Sequence, residues 1–212
     1  MPRLRVHDLS ISLDGYAAGP DQGPEQPLGA GGERLHEWIF PPDYPPGQSG
    51  PSGVDADFRA RGVVGIGATI MGRNMFGPVR GPWPDERWTG WWGEDPPFHH
   101  PVFVLTHHPR PPLTMAGGTT YTFVTDGPEA APEQAFAAAG GQDVRLGGGA
   151  ATVQEYLRAG LVDELHVAVV PLLLGGGERL FEDLGDAPAG LGCTEFVASP
   201  RAAHAVFRRI SS

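Results

Sequence analysis

The sequence contains a single cysteine, Cys193, and no lysine at all. One cysteine excludes an intramolecular disulfide and any zinc site built on several thiolates, and it suits a reducing compartment. Cys193 itself is expected to be a small buried apolar residue. Long apolar runs are missing too. The longest, Leu165 to Leu174, falls far short of the roughly 20 residues a bilayer span requires. The opening stretch, Met1 to Leu13, is broken by Arg3, Arg5, His7 and Asp8, so it does not read as a secretory leader, and a cytoplasmic location is expected. Nor is there a cationic surplus: the formal net charge is -10. An acidic field repels nucleic acid and anionic membranes, which excludes both as expected partners.

What is there is a chain of 212 residues with 32 glycines and 23 prolines, so a lone glycine or proline carries little signal. The length suits one domain with its own core, taken here as residues 1–212 with long loops at about 19–53 and 77–101. Leu4 to Leu13 reads as a strand. Leu9, Ile11 and Leu13 alternate in one phase while Leu4 and Val6 sit in the other, which implies a bulge near His7–Asp8. Helical turns are expected over Glu33 to Phe40 and a helix from Asp55 to Arg61. Short strands are expected at Ala68–Met71, Val102–Thr106, Thr120–Thr125 and Val144–Leu146, and a longer one from Glu164 to Leu174. Pro132 to Ala139 reads as a helix with proline at its start and glycines behind it. Thr194–Ala198 and Ala203–Ile210 suggest a closing antiparallel hairpin. Strands alternating with helices, then strands alone, imply a mainly parallel sheet with an antiparallel edge and helices on both faces.

The strongest local motif runs from Val144 through Leu146 into Gly147, Gly148 and Gly149, then Ala150, Ala151 and Thr152. A strand, a glycine turn and a helix start together make an anion site: glycine admits close approach, and the helix start offers unpaired N–H groups and partial positive charge. Thr152 and Glu155 also fit a capping box, which would start the helix a few residues later. The motif lacks the pattern of a nucleoside-triphosphate loop, and a purely structural glycine turn is the competing reading.

Four stretches, in order, resemble the dihydrofolate-reductase-like superfamily. Within it they are most similar to stand-alone relatives of the C-terminal reductase domain of the bifunctional riboflavin-biosynthesis deaminase/reductase. They are Ser10 to Ala18, Ile70 to Arg73, Leu146 to Gly149, and Leu157 to Leu165 running on to Gly177. The resemblance implies a three-layer α/β fold, a homodimer and an NADPH site. Gly72, Arg73 and Asn74 would lie on the adenosine-phosphate side, Thr106 and His107 at the 2′-phosphate, Gly147 to Thr152 at the pyrophosphate, and Ser10, Ala17 and Ala18 near the nicotinamide. Arg73 suits a phosphate independently, because a guanidinium fork gives paired charge-assisted hydrogen bonds. A solvated surface arginine is the alternative.

Folate reducers of this superfamily use a buried carboxylate early in the first helix with a strand threonine. Leu35 and Ala168 fall at those places here, so dihydrofolate is not the expected substrate. Glu33, Glu37 and Asp57 are nearby carboxylates. His36 and Trp38 are candidates to line the substrate pocket, and Trp83, Trp88, Trp91, Trp92 and Phe98 either roof a flat heterocycle or pin their loop to the domain. The pairs His99–His100 and His107–His108 are not expected to hold a metal, since adjacent side chains on extended chain diverge. The reaction implied is hydride transfer from NADPH to a small pterin-like or riboflavin-precursor-like heterocycle. Its proton donors would be Asp14, Glu37 or water; the competing reading of Asp14 is a turn residue beside Gly15. A non-catalytic NADP(H)-binding module acting as sensor or scaffold is the alternative.

Overall fold

The computed structural model describes residues 1–42, 53–77, 79, 81–85, 87–186 and 190–210. Strand β1 runs from Leu4 to Ser12. Its register against the later strand Glu164–Val170 slips between Val6 and Leu9, and Asp8 sits at φ 58, so the expected bulge is present. The extra residue returns Leu9 and Ile11 to the face already taken by Leu4 and Val6, and all four join one apolar cluster.

The remaining strands are β2 (Tyr16–Ala18), β3 (Ile66–Gly72), β4 (Pro101–Leu105), β5 (Leu113–Thr114), β6 (Thr120–Val124), β7 (Asp143–Leu146), β8 (Glu164–Val170), β9 (Glu178–Arg179), β10 (Leu191–Ala198) and β11 (Ala203–Arg209). Nine of them form one sheet in the order β10-β11-β8-β1-β7-β3-β4-β6-β5, while β2 pairs with β9. From β8 across to β6 every pairing is parallel. β11 runs antiparallel to β8 and to β10, and β5 antiparallel to β6. The mixed, mainly parallel sheet with a C-terminal hairpin is thus the one its strand pattern implies.

Helices α1 (Val54–Val63), α3 (Ala130–Ala138) and α4 (Ala150–Arg158) connect the parallel strands, and the short α2 (Arg73–Phe76) follows β3 directly. The two faces of β8 show how they are distributed. Leu165 and Val167 pack with Ala135, Val153 and Leu157 of α3 and α4. Ala168 and Val170 turn the other way and pack with Leu35, Trp38 and Phe58. Alternate side chains of a strand serve opposite faces, and apolar residues at both phases of β8 require cover on both sides.

Several local expectations are corrected. β8 stops at Val170 rather than Leu174, because Pro171 has no N–H to offer the ladder. α4 starts at Ala150 with Gly149 as its N-cap and no side-chain cap, so Thr152 is helical and the capping-box reading fails. Cys193 is exposed, since β10 is an outer strand with many outward side chains. The helical turns expected over Glu33–Phe40 appear as a 3-10 turn, Gly32–His36. Residues 43–52 of the first long loop lie outside the described residues. The second loop is pinned by its aromatics: Trp83 meets Phe76 and Phe123 edge-on at 5.8 and 5.3 Å, and Trp92 meets Phe98 at 4.9 Å. Among the described residues no helix is long and apolar enough to cross a membrane.

Candidate cofactor and active site

The carboxyl ends of the central parallel strands open into one cavity of about 1290 Å³. Crevices of this kind form where neighbouring connections leave to opposite faces of the sheet. The volume exceeds the about 300–1,000 Å³ of a typical small-ligand pocket, so it has room for a dinucleotide and a second molecule.

The glycine turn forms the cavity's best-defined wall. Gly147 N–H donates to Ile70 O at 2.8 Å and Gly72 N–H donates to Gly148 O at 2.8 Å, which ties the turn to the end of β3. Gly148 has φ 121, a conformation reserved for glycine. A Cβ on Gly149 would meet nothing within 4 Å, and Gly149 lines the cavity, so the helix start is open to a ligand. Ala150, Ala151 and Thr152 line it as well. A Cβ on Gly72 would collide with Thr152 Oγ1, so glycine there permits the close approach of α4 to the β3 turn.

Gly72, Arg73 and Asn74 continue that wall. The Arg73 guanidinium lies 3.8 Å over the Trp83 ring, and its Nη1 donates to Gly81 O. Its Nε and Nη2 are buried with no hydrogen-bond partner among the described residues. Burial, with Arg110 nearby as a second cause, lowers its pKa from the ordinary value. An arginine with two unpartnered donors and an open helix N-terminus, both lining one cavity, fit a phosphorylated dinucleotide. Thr106 and His107, just past β4, line the next section.

Ser10, Ala17 and Ala18 line the β1 side. Across from them the 3-10 turn divides its residues. His36 and Glu37 reach the cavity, and burial lowers the His36 pKa. Trp38 does not line it. Fully buried, it donates from Nε1 to Ser10 Oγ at 2.8 Å and packs 4.9 Å from the His204 ring, so it supports the wall from behind. Asp14 is also outside the cavity. Its carboxylate accepts the N–H groups of Leu174 at 3.1 Å and Gly175 at 2.7 Å. A hydrogen bond from Ser12, reinforced by those two amides, holds its pKa at about 2. An exposed carboxylate so strongly ionised clasps the segment after β8; it does not fit the proton-donor role expected for it.

Leu35 and Ala168 sit together in one apolar cluster, as their residue types imply. A buried carboxylate does occur at the start of the first α-helix. Asp55, in the first turn of α1, is a buried carboxylate. It is turned to β11, where His204 Nε2 approaches Oδ1 at 2.8 Å, and it does not line the cavity. Side chains not singled out from the sequence do line this flank: Asp8, Arg59 and Arg145. Asp8 is delivered by the bulge and packs its carboxyl against Gly62 of α1, where a Cβ would collide with it. Burial raises the Asp8 pKa, against the opposing pull of Arg145, whose Nη2 lies 3.4 Å from Oδ2. The bulge was the only sequence signal for Asp8, and the strand leading into the glycines the only one for Arg145.

The two histidine pairs are divided as well. His107 and His108 line the cavity. His99 Nδ1 meets Gly117 O at 2.8 Å, and His100 Nε2 meets Thr69 Oγ1 at 2.7 Å. Burial, then the charges of Arg145 and His99, push the His100 pKa down to about 4. Trp91, Trp92 and Phe98 add apolar wall, so the aromatic loop both packs and encloses.

The sheet order, the closing hairpin and the position of the cavity define a dihydrofolate-reductase-like α/β protein. Dihydrofolate reductase from Enterococcus faecalis, solved with NADP(H), has this fold at a TM-score of 0.50 and 14% identity, covering 99% of this chain and 97% of that one. The family model of the RibD C-terminal domain matches residues 6–201, and the chain belongs to that family of reductases. A riboflavin biosynthesis protein from Shewanella sp. PV-4 superposes with a TM-score of 0.61 at 20% identity over 100% of both chains. A pyrimidine reductase-like protein from Corynebacterium diphtheriae gives 0.56 at 14% identity over 100% of this chain and 93% of that one. RibD from Acinetobacter baumannii gives 0.55 at 17% identity, with 99% of this chain covering 58% of that one. No curated protein matches the sequence significantly.

Proposed function

We propose that the protein is an NADPH-dependent reductase acting on a small heterocycle of the pterin or riboflavin-precursor kind. The observation that carries this reading is the continuity of one cavity from the open start of α4 and Arg73, across Ser10, to His36 and Glu37. NADPH, when bound, supplies the hydride. The amides at the start of α4 bind its pyrophosphate, and Gly148 and Gly149 keep side chains out of the way. Arg73, prestacked on Trp83, donates Nε and Nη2 to phosphate oxygens, with Thr106 and His107 beside it. Ser10, Ala17 and Ala18 shape the nicotinamide end, small enough for the two reactants to touch. His36 contacts the substrate, and Glu37 or water delivers the proton. A single-domain, cytoplasmic homodimer completes the reading, supported by the family likeness and the lone cysteine.

Calorimetric titration with NADPH and NADH tests it. NADPH binds more tightly, and Arg73→Ala weakens it about 10- to 100-fold, as expected for a charge-assisted contact contributing about 1.5–3 kcal/mol. Gly148→Val abolishes binding. Cofactor oxidation over pterins, pyrimidine precursors of flavins and quinones then identifies the substrate class. Binding without turnover on any of them favours a sensor or scaffold, and no binding of either cofactor sinks the reductase reading.

A further inference from the structure

We propose that His7, Asp8 and His166 form a site for a divalent d-block cation of the zinc class. Their ligand atoms lie within 4.8 Å of one another, on two neighbouring strands. Consecutive residues of a regular strand point to opposite faces, so His7 and Asp8 converge only because the bulge and the left-handed Asp8 backbone turn the carboxyl back.

Among the described residues, His7 Nδ1 and Asp8 Oδ1 are buried with no hydrogen-bond partner, and His7 is only 3% exposed. His166 Nδ1 lies 3.9 Å from Asp8 Oδ1, beyond hydrogen-bond reach. Buried polar atoms in a native fold are almost always partnered, so two orphans within one cluster of ligating side chains indicate a missing occupant.

The surrounding hydrogen bonds prepare both imidazoles as ligands. His7 Nε2 donates to Glu164 Oε1 at 2.7 Å, which leaves Nδ1 bare. Glu164 is itself fixed by Arg208 at 2.8 Å and Arg5 at 3.2 Å. His166 Nδ1 accepts the Asp8 N–H at 3.2 Å, so its proton is on Nε2, which donates to His204 Nδ1 at 3.0 Å. His204 Nε2 then donates to Asp55 Oδ1 at 2.8 Å. A metal-binding histidine ordinarily gives its other N–H to such an acceptor. The long Asp8 amide contact is the one bond the ion replaces. Arg145 Nη2 lies 3.4 Å from Oδ2 of Asp8, which leaves Oδ1 for the ion. Two imidazoles and one carboxylate suit zinc, cobalt or iron(II) rather than magnesium or calcium. Asp8 borders the cavity, so a water on that side completes the coordination.

The test uses the full chain, stripped with a chelator and titrated with Zn²⁺ against a competing chelator, and with Co²⁺ followed by visible absorption. The expected result is one ion per chain, a higher Tm with zinc, and Co²⁺ d–d bands unchanged in Cys193→Ser. Asp8→Asn and His7→Gln each weaken zinc at least 100-fold. Absence of one-to-one binding and of any zinc-induced rise in Tm in the wild type overturns the proposal, whether or not the variants fold. So does undiminished affinity in both variants. These readouts need no nicotinamide cofactor, so the outcome is separate from that of the reductase reading.

Discussion

The two walls of the cavity are made of different material. On the β7–α4 side the surface is largely backbone: Gly147, Gly148 and Gly149, then open amides, with Arg73 laid over Trp83. On the β1–α1 side it is side chains brought together from distant strands, with Asp8, Arg59 and Arg145 in front and Trp38, His166 and His204 behind. A backbone wall tolerates little change at a few glycines but is indifferent to its neighbours. A side-chain wall depends on packing and on hydrogen bonds that cross the sheet. Ligand affinity should therefore respond to the first wall and fold stability to the second.

The largest expected effect breaks the second wall. Leu35→Ala removes a fully buried side chain from the cluster under the 3-10 turn and should cost about 2–5 kcal/mol in denaturant unfolding. NADPH affinity should hold within a few-fold; a parallel collapse of both would dissolve the distinction. The next effect sharpens the first wall. Ala151→Glu puts a carboxylate in the first turn of α4, on the cavity surface. It should leave Tm unchanged or slightly higher, because an acid suits a helix start, while NADPH binds about tenfold or more weakly by calorimetry. Unchanged affinity would remove the pyrophosphate from this wall.

The smallest effect concerns pH and lies outside both walls, at His100 just before β4. The folded pKa of His100, about 4, lies below its ordinary 6.5. Its contribution to stability is complete above pH 6.5 and is lost as pH falls through 4, because the unfolded chain binds the proton more readily. His36 shifts in the same direction. His100→Gln lacks this titration, so its Tm should fall by a few degrees less than the wild type's between pH 7 and pH 4. Parallel melting curves would remove His100 from the acid response.

Much of the first wall was legible because its determinants are contiguous. Strand, glycines and helix occupy adjacent positions from Val144 to Thr152, and a helix start exposes its amides whatever surrounds it. The bulge was legible for a similar reason: apolar residues that change phase between Val6 and Leu9 can share one face of a strand only if an extra residue intervenes. The errors lie where local chemistry met a competing tertiary demand. Asp14 looked like an acid near the cofactor, but the amides of Leu174 and Gly175, some 160 positions away, claim its carboxylate. Trp38 looked like pocket lining, but burial and its bond to Ser10 took it into the wall. The role of Asp55 has no local signal, because its partner, His204, belongs to the last strand.

By itself, the sequence determined the class of fold, the order of its longer strands and helices, the bulge and the glycine turn, but not the short β2, β5, β9 and α2. Each of these follows from hydrophobic periodicity or backbone freedom within a few neighbouring residues. Only the tertiary structure decided which carboxylates and imidazoles face the cavity, which are consumed in the wall behind it, and that His7, Asp8 and His166 meet. Those outcomes depend on strand register and on hydrogen bonds between residues far apart in the chain, where burial forces each polar atom to find its partner.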